Sequence, residues 1–239
     1  MRYFLPFFIS LSTFLTPSSL SGFTVKIIDY ETRVFSYDSG EEKKLGKQIG
    51  YTEDPSYLFD SIKQHKFFSA DFKQVTVKGK KRRIVEGRIK ANRSGQFKIS
   101  YQEPLNEIMF SDGKDFYRYD PELEQVNIQP LDQLLSETPM GLLTLNLDKI
   151  RELFTVSKCW KRLNQYTCLL NSKNEESFIK WVYITLNNRV FSSLKYLDSF
   201  DQEISLQFKN SSTKQLNDEE FRLVIPKETD IVSYENNIN

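Results

Sequence analysis

The sequence predicts a mainly β protein with α-helices, in which a single curved antiparallel sheet is covered on one face by short helices. Two observations predict this fold. From Phe67 onward, about a dozen short segments with β-like patterns are separated by turn residues, as is typical of a sandwich or barrel. Two helical patterns accompany them, one before the first strand and one between Leu131 and Glu152. The simplest arrangement lays both helical regions over the same face of the sheet.

Composition limits the classes of function. The chain has 239 residues, of which 39% are hydrophobic, and its net charge is +1. This length fits one large all-β domain or two small ones. Near-neutral charge argues against a nucleic-acid partner and against a polybasic membrane surface, because both need a cationic excess.

The N-terminus has the features of a secretory signal. Arg2 supplies a positive charge, a short apolar run extends from Tyr3 to Leu15, and small residues end at Ser21. These features predict export with cleavage before Gly22. No cysteine lies near the predicted cut, so a lipid-anchoring motif is absent. The alternative is a short buried or membrane-tethering helix.

Composition divides the chain into four parts. Residues 1–21 are assigned to the signal peptide and residues 22–54, which have no periodic apolar face, to an N-terminal extension or arm. Residues 55–232 are assigned to the main domain and residues 233–239 to a C-terminal tail. The main domain is predicted to begin with a helix at Pro55-Ser56, since proline suits the first turn of a helix and apolar residues then recur at helical spacing.

Turn chemistry places the strand boundaries. Asp112-Gly113 between two apolar runs is a strong hairpin signal, because both central residues of such a turn need φ > 0. Turns are likewise assigned to Lys78–Lys81, to Arg93–Gly95 and to Asn187-Asn188. In the second half, strands are predicted over Leu153–Trp160, Tyr166–Leu170, Phe178–Leu186, Val190–Leu197, Glu203–Lys209 and Phe221–Ile225.

The chain contains two cysteines, Cys159 and Cys168. If Leu163-Asn164 is a two-residue turn, the cysteines lie directly opposite each other, three pairs beyond the closing pair, with Cα atoms about 4.5 Å apart. An even number of cysteines in an exported chain favours a disulfide. The alternative is a pair of small buried thiols.

The predicted sheet has one strongly apolar face. Phe97, Ile99 and Tyr101 share a face by alternation, and the segment from Phe178 to Ile184 is apolar at nearly every position. Such a strand is covered on both sides or faces a cavity. On composition alone a filled core is favoured, although a curved sheet of this size can enclose a ligand instead.

Four segments carry a resemblance to a known family. The segments Phe68–Gln74, Ile108–Pro121, Pro139–Leu143 and Phe221–Ile231 occur in an order and spacing similar to those of the LolA family of periplasmic lipoprotein carriers. The resemblance implies an unclosed β-barrel of about 11–12 strands with a helical lid. It also implies an apolar cavity that takes up the acyl chains of lipoproteins, with no catalysis and no cofactor.

The resemblance further implies a route and its partners. A periplasmic carrier of this kind acts as a monomer, receives lipoproteins from an inner-membrane ABC-type release complex and passes them to an outer-membrane lipoprotein acceptor. Two alternatives stay open, a LolA-like binding protein for another envelope lipid and a non-enzymatic periplasmic lipoprotein sensor.

The resemblance also assigns roles to individual residues. Arg93 matches the family's lid-latching arginine, whose five donors can hold several lid carbonyls; the alternative is a solvated arginine in a turn. Ser94 follows it where the family has proline. The residues assigned to the cavity and lid, for which ordinary packing is the alternative, are Phe97, Ile99, Met109, Leu58, Ile62, Leu142 and Leu143.

Other motifs point away from catalysis. His65 is the only histidine, so a serine-histidine-aspartate triad would depend on it, and no nucleophile elbow accompanies it. No Cys/His spacing fits a zinc or other metal site, and no glycine-rich phosphate loop occurs. The basic cluster at Lys78–Arg83 is interpreted as a solvated hairpin tip or, alternatively, as a docking surface for an acidic partner or lipid headgroups.

Overall fold

The computed structural model describes residues 54–131, 134–135 and 138–233. The predicted signal peptide, nearly all of the predicted arm and residues 234–239 of the predicted tail lie outside the described residues. None of the helices in this described part of the chain is long and apolar enough to cross a membrane.

Twelve strands form a single sheet in the order β12-β6-β5-β4-β3-β2-β1-β11-β10-β9-β8-β7. All neighbours are antiparallel except β12 and β6, which are parallel. The sheet does not close, because β12 and β7 remain at its two edges. The predicted fold class is confirmed. The strands are β1 Phe67–Lys78, β2 Lys81–Asn92, β3 Gln96–Tyr101, β4 Ile108–Asp112, β5 Asp115–Asp120, β6 Gln125–Pro130, β7 Phe154–Arg162, β8 Gln165–Ser172, β9 Ile179–Asn187, β10 Val190–Asp198, β11 Glu203–Ser212 and β12 Asp230–Ser233.

Three helices in the described ranges cover this sheet, and we call them together the lid: α1 Ser56–Gln64, α2 Met140–Thr144 and α3 Leu147–Leu153. The start of α1 follows Pro55, as predicted. The segment that contains α2 and α3 connects β6 near one edge of the sheet to β7 at the other edge. Because this connection runs from edge to edge and its helices contact β2 and β7, it crosses one face of the sheet.

The C-terminal segment differs from its prediction. Phe221–Ile225 does not form a strand; a 3-10 helix covers Asp218–Phe221, and the last strand is β12. Reciprocal bonds between Asn217 and Glu220 cap this helix, and Glu220 accepts a hydrogen bond from Lys90 on the outer face of β2. Phe221 is buried against that face, so its apolar character reflects packing outside the barrel.

One turn is displaced by a residue from its predicted place. Asn187 pairs with Val190 in the β9–β10 ladder, so the two turn residues are Asn188 and Arg189, and both have positive φ. Pairing between β9 and β10 sets this register. As a result Arg189 adopts the left-handed conformation, which asparagine tolerates better.

Cys159 and Cys168 form a disulfide with Cα atoms 4.1 Å apart. They lie opposite each other in the β7–β8 ladder, three pairs beyond the closing pair of Arg162 and Gln165. Since β7 is an edge strand with one hydrogen-bonded neighbour in the sheet, this bond joins it covalently to β8.

Replacing both cysteines by alanine is expected to lower the free energy of unfolding by about 2–3 kcal/mol, because the unfolded chain regains the entropy of an open loop of this length. Urea unfolding of the variant, of the oxidised parent and of the reduced parent measures this effect. Reduction of the parent should reproduce most of the loss. Two free thiols titrated in unfolded, unreduced parent protein would contradict the bond.

Candidate functional site

The lid covers the end of the sheet at which β1 begins and β2 ends. The α2 helix contacts β2, α1 contacts α3, and α3 contacts β7. The structure buries the predicted residues of the strands and those of the lid helices. Those on the strands and those on the helices are each no more than 2% exposed: Phe97, Ile99, Met109, Leu58, Ile62, Leu142 and Leu143.

Further side chains complete this apolar interior. Ile150 of α3 is fully buried, as are Leu131 and Leu170. The helical spacing from Leu131 to Glu152 predicted apolar surfaces that cover the sheet, but it did not single out these residues. In the structure the interior is therefore occupied by the chain's own side chains from the strands and from the lid.

Arg93 connects the β2–β3 turn to two parts of the lid. Its Nη1 donates to the carbonyl oxygens of Leu142 at 2.7 Å and of Leu145 at 3.0 Å. Its Nε lies 3.4 Å from the carbonyl oxygen of His65, just after α1. Burial lowers the pKa of the Arg93 guanidinium to about 10. Every acceptor in these bonds is an uncharged backbone carbonyl, so the contacts can be exchanged without separating an ion pair.

The start of α2 packs tightly against the chain that precedes it. A Cβ atom added at Gly141 would lie 2.1 Å from the carbonyl oxygen of Leu135. The helix ends where the backbone N–H of Leu145 donates to the carbonyl of Gly141 at 2.8 Å. Glycine is therefore required for this close approach of two backbone segments within the lid.

Aromatic contacts hold α1 in place. The rings of Tyr57 and Tyr166 lie 4.5 Å apart, and the guanidinium of Arg189 lies 4.5 Å from the Tyr57 ring. On the other side of α1, Arg151 of α3 lies 4.5 Å from the ring of Phe59. Cation–π contacts of this kind contribute roughly 0.5–1 kcal/mol each at partly exposed sites, so α1 is held by several weak contacts.

A cavity of about 370 Å³ opens between α1, the start of β1 and the segment joining α2 to α3. Its apolar wall is formed by Ile62, Phe67 and Leu147, and its basic residues are Lys63, Lys66 and Arg93. Among the described residues that line it, none is acidic. Burial, followed by repulsion from Arg93 and Arg189, lowers the pKa of the neighbouring His65.

The predicted basic cluster lies away from this end of the molecule. The basic residues of Lys78–Arg83 are exposed at the opposite end of the sheet. Within the ranges that the structure describes, no group of three or more His, Cys, Asp or Glu side chains could hold a metal ion.

Most of the chain is similar to a known protein family. The model of the family "Outer membrane lipoprotein carrier protein LolA" matches residues 63–224. An outer-membrane lipoprotein carrier protein of Hahella chejuensis is 33% identical over 72% of this chain and 84% of its own length. The protein of the same name from Chromohalobacter salexigens is 28% identical over 77% and 88%. A crystal structure of an uncharacterized conserved protein from Thermus thermophilus shares the fold with a TM-score of 0.50, 10% identity, and coverage of 76% of this chain and 100% of that one.

Proposed function

The chain belongs to the LolA family of outer membrane lipoprotein carrier proteins, and from this premise we propose that it binds the acyl chains of lipoproteins in the apolar interior beneath its lid. The observation that carries the proposal is the construction of that interior. An unclosed sheet surrounds it, and a helical segment with fully buried Leu142 and Leu143 covers it. Cargo chains would take the place of these lid side chains when the lid moves outward.

Energetics explain why such a carrier needs a movable cover. Burying an acyl chain is worth about 0.8 kcal/mol per CH₂, so lipoproteins with several chains cannot cross water unshielded. A carrier that bound them with all of that energy could not release them. If lid and cargo compete for the same apolar surface, the closure of the lid offsets the loss of cargo, and loading becomes a shift between closed and open populations.

The roles of individual residues follow from this proposal. Arg93 would act as the latch of the closed state through its bonds to Leu142 and Leu145. Phe97, Ile99 and Met109 would contact acyl chains from the side of the sheet. Leu58 and Ile62 of α1 would pack on the interior with the lid closed and leave it when cargo enters.

The proposed setting is the periplasm of a bacterium with two membranes. The carrier would receive lipoproteins from an inner-membrane ABC-type release complex and pass them to an outer-membrane acceptor. It would act as a monomer and would catalyse no reaction. The family match supports this setting, because the relatives are named as outer-membrane lipoprotein carriers.

The proposal is tested by the cargo itself. We expect the purified protein to form a stable one-to-one complex with a triacylated lipoprotein released from detergent or from membranes. The matched control is the same lipoprotein with its modified cysteine replaced by serine, which carries no acyl chains and should not bind. Mass spectrometry of material that co-purifies from envelope extracts identifies the native cargo. Equal binding of the acylated and unacylated forms would contradict an acyl-binding interior.

A further inference from the structure

We propose that the cavity beside Arg93 binds the phosphate group of an anionic amphiphile whose hydrocarbon chain enters the interior beneath the lid. This inference rests on the proposed function, since it needs an interior that accepts such a chain. It adds a headgroup site to that function and extends the cargo to lipids that carry a phosphate.

The first argument is unbalanced charge. Lys63, Lys66 and Arg93 line the cavity, and no acidic side chain is found among its lining residues in the part of the chain that the structure describes. Both lysines are exposed, and no carboxylate of the described chain lies within 4.0 Å of either ammonium group. A phosphate would complement three cations that converge on one opening, and arginine and lysine are the residues that proteins use for this purpose.

The second argument is the unused capacity of Arg93. Its Nη1 is occupied by the carbonyls of Leu142 and Leu145, and its Nε makes a long contact at 3.4 Å. Its Nη2 donates to no atom of the residues that the structure describes. A partly buried guanidinium with open donors at a cavity wall can bind an anion there while the lid remains in place.

The third argument is the state of His65. Its Nε2 is buried and has no hydrogen-bond partner among the described residues. Burial is the largest cause of the lowered pKa of His65, and the charges of Arg93 and Arg189 lower this pKa further. Two cations act on one imidazole, and no carboxylate of the described ranges opposes them, which indicates a positive potential on this side of the lid. An anion placed beside Arg93 would offset that potential.

The fourth argument is the apolar wall. Ile62, Phe67 and Leu147 form the remainder of the same cavity, and Ile62 is also one of the lid residues buried on the interior. A ligand with both a phosphate and a chain matches this arrangement better than a free ion, because the wall would contribute nothing to binding a free ion.

The single histidine provides a direct readout, since its imidazole signal in a proton NMR spectrum of untagged protein needs no assignment. Three probes are compared. Dodecyl phosphate and the uncharged dodecyl maltoside are used below their critical micelle concentrations, and inorganic phosphate is the third. We expect dodecyl phosphate to bind about tenfold more tightly than dodecyl maltoside and to raise the pKa of His65. Inorganic phosphate should move the histidine signal only at much higher concentration.

A pair of variants identifies the cations. Lys63→Gln/Lys66→Gln should reduce the preference for dodecyl phosphate over dodecyl maltoside about fivefold. The matched control is Lys158→Gln/Lys161→Gln, which removes two exposed lysines of β7 and should keep the preference. Both variants remove the same charge from the protein, so a general electrostatic effect would alter them equally.

Each of the other possible outcomes contradicts one part of the proposal. If the two dodecyl probes bind equally and the pKa of His65 does not move, the headgroup site is wrong while the acyl-binding interior stands. If inorganic phosphate binds as tightly as dodecyl phosphate, the amphiphile is wrong. If neither dodecyl probe binds the parent protein, the proposed function fails together with this inference.

Discussion

The Arg93→Leu protein is expected to take up acylated lipoprotein as well as the parent does but to deliver it to an acceptor at least tenfold more slowly. In the closed state the guanidinium satisfies the carbonyls of Leu142 and Leu145. A hydrogen bond to a charged group contributes about 1.5–3 kcal/mol, and a loss of about 2 kcal/mol shifts the ratio of closed to open forms roughly thirtyfold. Because the lid of the variant would no longer close stably over the emptied interior, its closure would not offset the loss of cargo, and delivery would be slower.

A reconstituted assay separates uptake from delivery, with labelled lipoprotein first bound to the variant and then offered to acceptor. Arg88→Leu is the matched control, because Arg88 lies on β2, the strand that precedes Arg93, with an exposed side chain that pairs with Asp71; it should deliver normally. Arg93→Lys should be intermediate, since an ammonium group retains the charge but cannot reproduce the fork of the guanidinium. Normal delivery by Arg93→Leu would exclude the latch.

The strands of this protein could be predicted because local patterns and tertiary packing agree there. Alternation in Phe97, Ile99 and Tyr101 matches their burial on one face. The β9–β10 turn shows the limit of such patterns. Its register depends on which residue of β10 pairs with Asn187, and the structure consequently places Arg189 at φ +69°. The sequence pattern alone does not specify which residue of β10 pairs with Asn187.

The strand prediction near the end of the chain was wrong for a related reason. Phe221–Ile225 has β-like composition, but its conformation is set by contacts distant in sequence. Lys90 bonds to Glu220, 130 positions away, and Lys98 bonds to the carbonyl of Arg222. These long-range partners override the local preference.

The candidate site was predictable only in part. Arg93 could be singled out by resemblance, but its acceptors are backbone oxygens, which have no residue-type signature. Lys63 and Lys66 approach it from the end of α1 and the start of β1. Nothing in the spacing of these three cations indicates that they share a cavity, because only the folded sheet brings the β2–β3 turn beside α1.

The lid is the element on which these proposals converge. Its apolar side chains contribute to the interior, its carbonyls accept the hydrogen bonds of Arg93, and the basic cavity lies between α1 and the segment joining α2 to α3. A change in lid packing that keeps the Arg93 side chain itself therefore tests the lid from its own side, although the acceptors of Arg93, Leu142 and Leu145, lie close to the changed residue. Gly141 provides this change.

The Gly141→Ala protein is expected to lose about 2 kcal/mol of stability in the lid segment and to bind an apolar fluorescent probe more strongly than the parent. The added methyl would lie 2.1 Å from the carbonyl oxygen of Leu135, whereas unstrained contacts need about 3.5 Å. The obstructing carbonyl of Leu135 is backbone, so the two backbone segments must separate by more than about 1 Å. Hydrogen exchange of residues 138–146 measures the change, notably at the Leu145 N–H that donates to Gly141.

Gly79→Ala is the matched control, because it adds the same methyl where no atom lies within 4 Å, at a turn with φ +57°. It should cost about 1 kcal/mol from backbone strain and leave lid exchange and probe binding as in the parent. If Gly141→Ala instead exchanged and bound probe like the parent, a lid that tolerates such displacement could not be the element whose tight closure competes with cargo. Delivery would then have to depend on Arg93 alone.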